Sequence, residues 1–153
     1  MPKYLTQKEA FNKCKIEGRF IVAEETDKAR IKSTMAIAES DITSAECLKK
    51  NITEKSSQWN SVYKLYYDAL HELAESLLCF ERIKIDNHQC LFAYLCEKHP
   101  ELELDWDFFE KIRTKRNGMH YYGTPVSYTD WKEAELQFVL YVKKLKEEII
   151  KRL

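Results

Sequence analysis

The segment Lys111-Ile112-Arg113-Thr114-Lys115-Arg116-Asn117-Gly118-Met119-His120-Tyr121-Tyr122-Gly123 is the densest run of chemically capable side chains in the sequence. Four cations fall within six residues, Lys111 to Arg116. A helix carrying them would offer charge to phosphate groups. Arg113, Arg116 and His120 are separated by three, four and seven positions, which puts all three on one face of an unbroken helix. A histidine beside two arginines can serve as general base or acid near a phosphate, while the guanidinium groups stabilise charge on the phosphoryl oxygens. The competing reading is a solvated charged face. Asn117-Gly118 is also a turn dipeptide, and a helix ending there would lose the shared face. Tyr122 lies about 200° around the helix from His120, so it faces elsewhere.

Other polar groups carry less. His88, Cys90, Cys96 and His99 lack the paired short spacing of a structural zinc site, so no metal is expected. His71 reads as a satisfied interface or surface histidine. The acidic stretch Glu97, Glu101, Glu103, Asp105, Asp107 and Glu110 suits helix N-terminal charge better than cation binding. No nucleophile elbow, Gly-rich phosphate loop or metalloprotease motif occurs, and no cofactor is expected.

The elements that must position these groups are helices. The chain has 153 residues with only 3 Gly and 3 Pro, too few turn residues for a β-sandwich or a dinucleotide-binding α/β fold. Lys plus Arg and Asp plus Glu are 25 each, which argues against a wholly basic nucleic-acid binder and leaves room for a local patch. No apolar run reaches the roughly 18 residues of a membrane span, and the first residues lack the apolar core of a signal peptide. A cytoplasmic location is expected, and with it five reduced cysteines, Cys47, Cys79, Cys90 and Cys96 acting as small hydrophobes.

Helical apolar stripes run through most of the chain. Ile31, Met35, Ala38, Ile42, Ala45 and Ile52 form one, and Val62, Tyr66, Ala69, Leu73, Leu77 and Phe80 the next. These predict a long antiparallel hairpin over about 27–82. Asp86-Asn87 can cap a helix over about 88–98. Another helix begins near Asp105 and stops at Gly123. Ser127 or Thr129 can cap the last, with the stripe Trp131, Ala134, Phe138, Tyr141, Leu145 and Ile149. A short helix near 6–16 comes first, and 17–25 is ambiguous. The expected fold is a single all-α up-and-down bundle of five or six helices spanning 1–153.

The motif in 113–123 resembles the HEPN domain family (higher eukaryotes and prokaryotes nucleotide-binding), in a toxin-like branch. Arg116-Asn117 is similar to the family's Arg-polar start, and His120-Tyr121-Tyr122 to its His-any-Tyr ending. Six residues separate Arg113 from His120, within the family's spacing, and three separate Arg116 from His120. Tyr63, Tyr66, Tyr67 and Ala69-Leu70-His71-Glu72 are similar to the family's first long helices. The resemblance covers about 27–150. It implies an all-α homodimer whose two motif copies meet in one cleft, and metal-independent cleavage of RNA. It implies Arg116, Asn117 and His120 as catalytic residues, with Lys111, Arg113 and Lys115 binding RNA. It also implies an alternative: an inactive nucleotide- or protein-binding module acting with a nucleotidyltransferase antitoxin, for which Tyr122 would be the modified residue.

Two further expectations can be checked against a structure. Phe108 and Phe109 are adjacent, which suggests that they cannot both face one core and that a second chain covers one of them. Tyr122 is expected to be a core aromatic whose hydroxyl makes one hydrogen bond.

Overall fold

The computed structural model describes residues 4–153. Six α-helices follow one another: α1 Gln7–Ile16, α2 Lys28–Lys50, α3 Trp59–Cys79, α4 His88–Lys98, α5 Trp106–Tyr122 and α6 Tyr128–Arg152. The all-α bundle is therefore observed. The start signals act locally, as their chemistry requires. Asn87 Oδ1 accepts the Cys90 amide to open α4, and Asp105 accepts the Asp107 amide to open α5. Ser127 and Asp130 form a reciprocal capping box that opens α6.

The ambiguous 17–25 segment resolves into β1, Ile21–Val22, which pairs antiparallel with β2, Ile83–Lys84. Ile21 sits opposite Lys84 and Val22 opposite Ile83. This two-residue ladder joins the α1–α2 connection to the α3–α4 connection. Alternation is too short to read in a strand of this length, which is why periodicity missed it.

Helix α3 is the centre of the bundle. It packs along α2 on one side and α6 on another, and also touches α4 and α5. Tyr63, Tyr67, Leu70, Leu73 and Leu77 are fully enclosed. The whole α6 stripe from Trp131 to Ile149 is buried. Tyr63 meets Phe138 edge-on with ring centres 5.2 Å apart. Phe92 of α4 stacks on Phe109 of α5 at 4.5 Å.

Two expectations need correction. Cys14 and Cys90 are joined by a disulfide, so the cysteines are not all reduced thiols. The bond ties α1 to α4 and links residues 76 apart in sequence. Constraining the unfolded chain over such a loop is worth about 4 kcal/mol. Cys96 is a buried thiol, pushed up to about 12 by burial and by the nearby Asp105 and Glu97, whereas Cys47 is exposed. Phe108 and Phe109 are 4% and 0% exposed within their own chain. Phe108 packs toward Phe138 and Tyr141, and Phe109 toward Phe92 and Tyr141. Helix α5 is flanked by α4 and α6, so adjacent positions each find a neighbour, and no second chain is needed to cover either ring.

Candidate functional site

Helix α5 runs through Asn117-Gly118 and ends only at Tyr122. The turn signal is overridden by a stronger stop. Gly123 takes the left-handed conformation, with φ 62°, which a Cβ-bearing residue adopts only with strain. The amides of Gly123 and Thr124 then both donate to the Gly118 carbonyl. An unbroken α5 keeps Arg113, Arg116 and His120 on one side of the helix.

The four cations have different partners. Arg113 donates from Nε to Glu110 Oε1 and from Nη2 to Glu110 Oε2, both at 3.0 Å. Glu110 is 1% exposed, and Gln89 Nε2 on α4 also donates to it at 3.2 Å. Arg113 is thus held as the counter-ion of a buried carboxylate. Lys111 pairs with Glu133 at 3.3 Å and Lys115 with Asp130 at 3.0 Å, both on α6. Arg116 has no ion pair among the described residues. Its guanidinium lies over the Tyr67 ring at 5.5 Å, and its Nε is enclosed without a hydrogen-bond partner. His120 is exposed, Asn117 is half-buried, and Asp68 of α3 feels the charge of both Arg116 and His120.

Beside Arg116 stands a pair of imidazoles that the sequence pattern did not pick out. His71 of α3 and His88 of α4 stack with ring centres 3.9 Å apart. Tyr67, one turn before His71, shares a hydrogen bond of 2.9 Å with His88 Nδ1. Burial pushes the His71 imidazolium down to about 3, helped by His88 and Arg116. Burial also pushes His88 down to about 4, helped by Arg116, Arg113 and His120. Both rings are neutral near pH 7, because a charged pair would be desolvated and would repel its neighbours. Tyr67 and His71 are four apart on α3, a spacing visible in sequence, but only the packing of α4 and α5 against α3 brings His88 and Arg116 to them.

The remaining sequence candidates fall elsewhere. Tyr122 is 82% exposed and Tyr121 73% exposed, which corrects the expectation of a core tyrosine: the last turn of α5 before the Gly123 stop leaves both rings in solvent. His88, Cys90, Cys96 and His99 do not converge. Cys90 is bonded to Cys14, while His99 lies between Glu101 at 2.8 Å and Glu81 at 2.9 Å. Among the described residues, no group of three or more His, Cys, Asp and Glu is arranged to hold a metal ion. A second polar cluster lies on α2 and α3, where burial and the neighbouring Asp41 and Asp68 push Glu72 up to about 7.

No family model, curated protein or solved structure matches this chain. Among the described residues, no helix is long and apolar enough to cross a membrane. The functional reading therefore rests on the side chains themselves. The arrangement offers one guanidinium with no ion pair among the described residues, an exposed imidazole and two neutral imidazoles. That set can grip a phosphodiester and exchange a proton with it.

Proposed function

We propose that this protein is a HEPN-like RNA-binding protein that cleaves RNA without a metal, in the setting of a toxin–antitoxin or defence system. The observation that carries the reading is Arg116 and His120 on one unbroken helix, with Arg116 free of any carboxylate partner among the described residues. His120 would take the proton of a ribose 2′-hydroxyl. The 2′-oxygen then attacks phosphorus, the bond to the 5′-oxygen breaks, and water protonates the departing oxygen, leaving a hydroxide that takes the proton back from His120. The products are a 2′,3′-cyclic phosphate and a 5′-hydroxyl. No metal is required, since the nucleophile is already beside the phosphate. Asn117 would orient the phosphate.

The protein acts as a homodimer in this reading, with the exposed Tyr121 and Tyr122 beside His120 as part of the contact. RNA as the target implies a cytoplasmic location, while the Cys14–Cys90 bond pulls against a strongly reducing compartment. The test is RNA cleavage in EDTA, wild type against His120→Ala. Metal-free cleavage that the substitution abolishes supports the reading, and cleavage that survives the substitution overturns it.

The exposure of Tyr122 favours a second reading, an inactive module modified by a nucleotidyltransferase partner. Mass spectrometry after incubation with such an enzyme and a nucleoside triphosphate would detect a nucleotidyl adduct on Tyr122, lost in Tyr122→Phe.

A further inference from the structure

The Tyr67 hydroxyl fixes what His88 can do. Tyr67 is fully enclosed, and its hydroxyl makes its hydrogen bond with His88 Nδ1. A buried O–H gains most by donating to an acceptor within reach, here Nδ1, and Nδ1 serves only if it carries no proton. The network therefore assigns the neutral ring its proton on Nε2. That nitrogen has no partner among the described residues, and it is absent from the enclosed atoms that lack one, so it opens to solvent. His88 is also the first residue of α4, where the backbone amides of the first turn have no helical acceptor. Asn87 Oδ1 occupies the Cys90 amide. Arg116 reaches the same place from α5, lying over the Tyr67 ring and close enough for its charge to act on both histidines.

We propose that Arg116 and the Nε2–H of His88, from one and the same chain, form the site that holds a non-bridging phosphoryl oxygen of the RNA. This rests on the RNA-cleaving reading above. It assigns His88 the role of a neutral hydrogen-bond donor whose bond strengthens as negative charge grows on that oxygen, and leaves proton abstraction to His120. Nothing is transferred at His88. Its depressed basicity fits that division, because a ring neutral across the working range donates without titrating. Tyr67 is a positioning residue, holding the tautomer from beneath. His71 stacks against the ring and keeps it from tilting.

The experiment compares His88→Gln, His88→Ala and Tyr67→Phe in two assays, with a thermal melt on each variant as a check on folding. One assay is cleavage of a single-stranded RNA in EDTA across pH 5–9. The other is affinity for the same sequence made with 2′-deoxyribose, which binds and cannot be cut. The side-chain amide of Gln can place an N–H near Nε2 and has no proton to exchange in this range. His88→Gln should therefore stay within about fivefold of wild type with the acid limb of its pH profile unmoved, while His88→Ala should lose about tenfold to a hundredfold. Tyr67→Phe should fall between them. If Gln fails as badly as Ala in a folded protein, or if the acid limb moves, His88 is a proton-transfer group and the proposal is wrong. If His88→Ala binds and cleaves like wild type, the site is elsewhere. Should wild type bind the deoxy strand without cutting RNA, the cleavage reading falls. The oxygen site then stands or falls on whether Gln, and not Ala, preserves that affinity.

Discussion

On the side of α5 turned to α6, Lys111 and Lys115 are tied to Glu133 and Asp130. On the side turned to α3 and α4, Arg116 lies over Tyr67 with an enclosed Nε that no acceptor meets. The four cations look equivalent along the sequence, and their partners separate them. A lysine that already faces a carboxylate gives up that pair before it can bind phosphate, so its net gain is small. Arg116 has no ion pair to give up among the described residues, and Asp68 of α3 feels its charge. Arg113 is a third case, since its bidentate grip on Glu110 makes it part of the core's electrostatics.

The comparison can be broken first at His120. His120→Ala should lower RNA cleavage by about 10²- to 10⁴-fold, with a thermal melt unchanged because the residue is exposed. A melt that drops with activity would return His120 to structure. Next in size is the contrast between the two arginines. Arg113→Ala leaves Glu110 buried without its counter-ion, which should cost about 3 kcal/mol in urea unfolding. Arg116→Ala should cost far less stability. Its effect should appear in RNA affinity, with the slope of log affinity against log salt reduced by about 1. Equal destabilisation by both would erase the distinction.

The neutral histidines give a pH signature. Their folded basicity lies below that of the unfolded chain, so the unfolded state binds more protons in acid. Stability should be fully present above about pH 6.5, then fall as pH drops toward about 4 for His88 and about 3 for His71. Glu72 works in the other direction. Its carboxyl is pushed up to about 7, so its contribution is present at low pH and lost as pH rises through about 7. Urea midpoints measured from pH 4 to 8 should show both limbs. His71→Gln should flatten the acid limb, and Glu72→Gln the neutral one. The smallest effects belong to the α6 side. Lys111→Ala and Lys115→Ala should each change stability by less than about 1 kcal/mol and leave RNA affinity near wild type. A strong loss of affinity in either would mean that the ion pairs open to RNA and that both faces of α5 bind it.

The helices were legible because each depends on signals near in sequence. The stripe from Trp131 to Ile149 needs only a period of 3.6 to announce a buried face, and Asn87, Asp105 and Ser127 cap their helices through amides two or three residues away. The conflict at Asn117-Gly118 was local too, and Gly123 settled it by taking a conformation that suits glycine. The two-residue ladder escaped because four residues cannot display a period, and the Cys14–Cys90 bond because spacing alone does not choose between cysteines.

Sequence by itself therefore determined that this chain makes five or six amphipathic helices, and that Arg113, Arg116 and His120 share a face wherever their helix runs unbroken. Tertiary structure decided which of its cations remain free to act. It set Lys111 and Lys115 against the acids of α6, Arg113 against Glu110 and Gln89, and Arg116 against Tyr67 and the stacked His71 and His88. The reason is physical. A helix face follows from backbone geometry repeated every few residues, whereas the charge state and availability of a side chain depend on the dielectric and on neighbours from helices distant in sequence.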